Sequence, residues 1–102
     1  MSPLKLFVVL AAHLQSGPRT AQAVHAARAF AATYPTLEQF WFEESNNIVV
    51  LQHPDLPSLA EKLEGKGLRL AKFHEPDLGG ELTAFCAEPA AWRALSSLPL
   101  AR

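Results

Sequence analysis

Hydrophobic positions along the chain fall into unbroken runs and into stripes spaced three or four residues apart, the two signatures that separate strands from helices. Lys5 to Ala11 (KLFVVLA) is an unbroken aliphatic run and predicts a central strand covered on both faces. Ile48 to Gln52 (IVVLQ), Leu68 to Phe73 and Leu82 to Ala87 (LTAFCA) predict three more strands, the first of them announced by the turn pair Asn46-Asn47.

Helical spacing fills the intervals. Gly17 and Pro18 predict a helix start, because proline at the first helical position gives up no needed N–H, and Pro35 stops the helix that spans Arg19 to Tyr34. Val24, Ala27, Ala31 and Tyr34 are its expected apolar face, and its seven alanines predict close approach to a sheet. Thr36 to Glu44 (TLEQFWFEE) is read as a second short helix with Phe40, Trp41 and Phe42 as a bulky plug, an extended segment being the alternative. Asp55 is the expected N-cap of a third helix running to Gly65, with Leu56, Leu59, Ala60 and Leu63 as its stripe. Pro89 opens a last helix through Leu95.

This order predicts an α/β fold: one three-layer α/β/α domain over residues 1–102, with a four-stranded mixed sheet. Helical crossovers imply parallel pairs, and a later strand is expected to run antiparallel. The strand order is not readable from the pattern.

Composition narrows the function classes. The 102 residues are 49% hydrophobic and 19% charged with a net charge of −1, an ordinary globular balance without the basic footprint of a dedicated nucleic-acid binder. The lone cysteine, Cys86, excludes an internal disulfide and fits a reducing, cytoplasmic compartment. No apolar run approaches the roughly 20 residues that span a bilayer, so no membrane partner is expected. Lys5 followed by LFVVLAA lies at the lower limit of a signal-peptide core, but cleavage after it would delete the best strand in the chain.

Metal chemistry is not expected. His13, His25, His53 and His74 lie near the ends of different elements and form no C-x-x-C, H-x-H or H-E-x-x-H spacing with one another or with Cys86. Cys86, between Phe85 and Ala87, reads as a small core residue, and neither a G-x-S-x-G elbow nor a G-x-x-x-x-G-K phosphate loop occurs. No cofactor is implied.

Two stretches can carry chemistry. In SGPRTAQAVHAARAF, Arg19, Gln22, His25 and Arg28 recur every three residues as a polar ridge beginning just past the first strand, where α/β sheets bind ligands and free helix N–H groups favour anions. Alternatively, Gln22 and His25 satisfy a neighbouring loop while both arginines are solvated. In FHEPDLGGELTA, the residues His74, Glu75, Asp77, Glu81 and Thr83 gather around a proline and two glycines. Converging carboxylates suit acid or base work; a plain turn pointing them into water is the other reading.

KLFVVL followed by a loop and G-P-R-T-A-Q-A-V-H-A-A resembles the opening of the peptidyl-tRNA hydrolase type 2 family, in which a first strand leads to a G-K-x-A-A-Q-x-x-H-A helix. Gly17, Ala21, Gln22, His25 and Ala26 fall on the family's residues, and Asp77-Leu78-Gly79 is similar to its D-A-G. Trp41 before a polar turn and a V-V strand also matches. The resemblance covers most of the chain and implies an α/β/α domain, commonly a homodimer, that hydrolyses the ester between a peptide and the terminal ribose of tRNA.

Carried over, it assigns Asp77 to orienting or activating water, His25 and Gln22 to positioning it, and Arg19 to holding a phosphate or oxyanion, with Gly17, Arg28, Thr83 and Glu81 as substrate-binding residues. Pro18 stands where the family has lysine, beside Arg19. The D-A-G-x-T-Q loop is shortened, so that Glu81 takes the threonine's place by counting and Thr83 is the nearest hydroxyl. These departures set a second expectation, a non-catalytic RNA- or ligand-binding module on the same fold, and a third, a hydrolase of another small ester or amide. The catalytic expectation requires Arg19, His25 and Asp77 to converge on one pocket.

Overall fold

A computed structural model describes residues 4–101. Four strands form one mixed sheet in the order β2-β1-β4-β3: β1 (Lys5–Ala11), β2 (Asn47–His53), β3 (Leu70–Glu75) and β4 (Glu81–Ala87). β1 pairs parallel with β2 and antiparallel with β4, which in turn pairs antiparallel with β3. The antiparallel member is therefore β4. It inserts between β1 and β3 and fills the gap left by the second crossover.

Helices cover both faces, giving the expected three layers. On one face lie α1 (Ser16–Thr33) and α2 (Pro35–Glu44), whose Ala26, Phe30 and Trp41 pack on Leu6, Val8, Leu10, Ala84 and Cys86. On the other lie α3 (Leu56–Gly65) and the short α4 (Trp92–Leu95), which bury Leu56, Leu59, Ala60, Leu63 and Leu95 against Phe7, Val9, Leu51 and Phe85. Asp55 caps α3 as expected, accepting from the Ser58 N–H at 3.2 Å.

The α1 expectations need two corrections. The helix begins at Ser16, so Pro18 is its third residue, still among the four positions whose N–H has no intrahelical partner. Its buried face is Gln22, Ala26 and Phe30, four apart, whereas Val24 is 53% exposed. Hydropathy placed the face on Val24, Ala27, Ala31 and Tyr34; Ala27 and Tyr34 do pack, half-buried, at the margin of this core, but the tertiary contact of Phe30 turns the exposed Val24 away from it.

In α2 only Trp41 is buried, its indole donating to the Asn47 carbonyl at 2.7 Å, while Phe40 and Phe42 stand out in solvent. The aromatic plug is thus one residue. The chain end continues the sheet beyond β2: Gln52 N–H bonds Pro99 O, Ala101 N–H bonds Val50 O, and Leu51 bridges Leu100 antiparallel. This tail covers an edge that would otherwise offer unpaired backbone groups.

Candidate functional site

The β3–β4 connection determines where the polar residues stand. Pro76–Leu78 make one 3-10 turn, Gly79 and Gly80 both take positive φ (67° and 81°), and the Gly80 N–H closes the loop on Glu75 O at 2.9 Å. Consecutive left-handed residues are costly for anything but glycine, so the Gly-Gly pair is required here.

Beyond the turn, the register slips. Phe73 is paired with Ala84 but His74 with Leu82, leaving Thr83 as an extra residue on β4. This β-bulge breaks the alternation: Leu82 packs on the α3 face and Ala84 on the α1 face although they are two apart. The bulge turns Thr83 toward α1, where it is fully buried.

Thr83 Oγ1 donates to Gln22 Oε1 at 2.7 Å, and Gln22 Nε2 donates to Glu75 Oε1 at 2.8 Å. An ionised carboxylate can only accept, so the Gln22 amide must present its NH₂ to Glu75 and its oxygen to Thr83, whose hydroxyl must then donate. The other Glu75 oxygen accepts the Asp77 N–H at 3.4 Å. A single ordered chain therefore runs from the bulge through α1 to the turn. Each member fixes the next.

Asp77 is exposed on that turn, and among the described residues its carboxylate makes no hydrogen bond or ion pair. His25, one helical step beyond Gln22, is exposed and stacks on Phe73 at 4.5 Å between ring centroids and 20° between planes. Successive contacts Gln22 to Glu75 and His25 to Phe73 show α1 running antiparallel to β3. Glu81 lies opposite Glu75 across the ladder, yet it takes a separate partner, His13 Nε2 at 2.8 Å. His13 was flagged only as a metal candidate and Glu75 only as a loop acid. Their partners are 68 and 53 residues away in sequence, so only the strand order reveals them.

Arg19 goes elsewhere. Its guanidinium donates from Nη2 to Gln52 Oε1 at the end of β2 and lines a shallow pocket of about 240 Å³ with Leu10, Ser16, Thr20 and Val50. β2 and β3 are opposite edges of the sheet, about 14 Å apart at strand spacing. Arg19 and Asp77 therefore do not converge, and the expected Arg19–His25–Asp77 triad is not assembled. Gly17 and Arg28 are exposed on α1, and a side chain at Gly17 would meet nothing, so no close backbone approach demands glycine there.

The first turn of α1 is open: Gln15, its N-cap, makes no side-chain cap. Among the described residues no group of three or more His, Cys, Asp or Glu could hold a metal ion. Burial, with the Glu38 charge a smaller contribution, pushes the Cys86 thiol up to about 12, so it stays protonated and unreactive at neutral pH. No helix among the described residues is long and apolar enough to cross a membrane. No protein-family model matches the chain, and no curated protein matches it.

Proposed function

We propose that this protein hydrolyses the ester of peptidyl-tRNA, as the resemblance to the type 2 hydrolases implies, through a site built on the β3–β4 turn. The observation that carries the reading is the buried Gln22 of α1, the residue matched to the family, clasped between Thr83 and Glu75 at the edge of the sheet.

In this reading Asp77 takes a proton from a water as the water oxygen attacks the ester carbonyl carbon. The Ser16 and Gly17 N–H groups, which have no acceptor among the described residues, stabilise the oxyanion in this reading, since Pro18 has no N–H and the Arg19 N–H already bonds Gln15 O; the role does not need the Arg19 side chain. Collapse expels the ribose oxygen, which receives the proton. His25, whose nitrogens are unpaired among the described residues, orients the water from the Phe73 platform. Glu75 and Gln22 are positioning residues: their hydrogen bonds hold the Asp77 turn. Thr83 is sealed from solvent and serves Gln22 rather than a substrate.

One observation favours the second reading, a non-catalytic RNA-binding module: the one cation in the matched segment's first turn is tied to Gln52 at the far edge of the sheet. Purified protein offered peptidyl-tRNA separates the two. Hydrolysis predicts release of free tRNA, a loss of about 10²-fold or more in Asp77→Asn, a smaller loss in Glu75→Gln, and little change in Arg19→Met. Salt-dependent RNA retention with no release by the unmodified protein overturns hydrolysis in favour of the binding module.

A further inference from the structure

On the opposite face of the sheet, at the start of β1, a pocket of about 260 Å³ opens between the sheet and the C-terminal segment. Its walls include Phe7, Leu51, Leu98 and Trp92, with Lys5 and Ser96 as its polar side chains. The register explains the grouping: Lys5 and Phe7 share a face of β1, and Phe7 is paired with Val49 and Val9 with Leu51 on the same side. Trp92 and Ser96 are one helical turn apart, so both look down on the strands.

Three features point to a ligand of one chemistry. Lys5 is half-buried, and among the described residues its ammonium has no carboxylate partner, unlike Lys72, which pairs with Glu64 at 3.1 Å. Among the described residues no acidic side chain lines the pocket, and each polar side chain that does (the Lys5 ammonium, the Trp92 indole N–H and the Ser96 hydroxyl) can donate a hydrogen bond. A second cation adjoins the wall without lining it, since Arg93 lies 5.0 Å from the Trp92 ring centroid. An apolar chamber whose polar side chains are a cation and groups able to donate, with no carboxylate among the described residues, suits an anion on an apolar body.

We infer that this pocket binds a small apolar monocarboxylate, its carboxylate on Lys5 and its hydrocarbon against Phe7, Leu51, Leu98 and the Trp92 indole. At about 260 Å³ the chamber lies just below the usual range for drug-sized ligands, roughly 300–1,000 Å³, which limits the body to about ten heavy atoms. The site lies on the other face and at the other end of the sheet from the Gln22 cluster, and it stands whether or not peptidyl-tRNA is the substrate.

Trp92 is the reporter, because the other tryptophan, Trp41, is a buried residue of α2 on the opposite face of the sheet. Titration of the whole protein with octanoate and with 3-phenylpropionate is expected to change tryptophan emission saturably, and Trp92→Phe removes the signal. Octanol, the same chain without the charge, is expected to bind at least tenfold more weakly, as is octanoate to Lys5→Gln. The octanol comparison needs no variant and so holds even if Lys5→Gln folds poorly. No saturable response to either acid, or equal binding of octanol and octanoate, overturns the inference.

Discussion

α1 and α3 cover opposite faces of the same sheet and meet it with different chemistry. α3 buries Leu56, Leu59, Ala60 and Leu63, all apolar, and its first turn is closed by the Asp55 carboxylate. α1 buries Gln22 with Ala26 and Phe30, and its first turn has no side-chain cap. One helix spends its contact face and its N-terminus on stability. The other leaves both open to polar partners, and the residues of the candidate site gather around it. A folded domain this small can keep a polar contact inside only because the other face is closed by hydrophobic packing.

The largest effect is expected where α3 is deepest. Leu63 is fully buried among the leucines of its stripe, so Leu63→Ala leaves a cavity and is expected to cost about 2–5 kcal/mol in denaturant unfolding. A loss below about 1 kcal/mol would mean that α3 is not the closed side of the comparison.

A smaller and non-additive effect is expected on the α1 side. Gln22→Met alone leaves the Thr83 hydroxyl buried without its acceptor, and Thr83→Val alone leaves the Gln22 oxygen without its donor, each at about 1–3 kcal/mol. Replacing both removes the orphaned Thr83 and Gln22 oxygens together, and the Glu75 bond, lost whenever Gln22 is replaced, enters the single and the double alike, so the double variant is expected to lose less than the sum of the singles. Strict additivity in the unfolding cycle would show that the two side chains do not depend on one another.

The same contrast explains what could be read from the sequence. The α3 stripe, its Asp55 cap and the β1 run are local patterns of apolar spacing, and the structure has them where the pattern puts them. The buried face of α1 was hidden because alanines surround the helix and the decisive position is a glutamine; hydropathy then pointed to Val24, which is exposed. Thr83 was hidden for a different reason. A strand's alternation fixes which side chains face inward, but the bulge at Thr83 resets it, and a bulge follows from pairing with β3 rather than from β4 itself. Gln22 with Glu75 and His13 with Glu81 become neighbours only once β4 has inserted between β1 and β3. Arg19 had the right residue type and the right helix turn. Only the order of strands shows that it reaches toward β2 and away from Asp77.

The smallest expected effect tests the closed helix start directly. Hydrogen bonds from Ser58 hold the Asp55 carboxyl below its ordinary value of 3.8. A group whose folded-state pKa is depressed stabilises the fold above its unfolded pKa and loses that contribution as pH falls through the folded one. Asp55→Asn replaces the acid with a neutral cap of similar strength. The variant is therefore expected to match the unmodified protein at pH 7 and to lose less stability as pH falls below about 3.8, as thermal unfolding followed at pH 7 and pH 3 will read. If instead the acid limb is unchanged, Asp55 is not what closes α3, and the N-termini of the two helices differ less than their caps indicate.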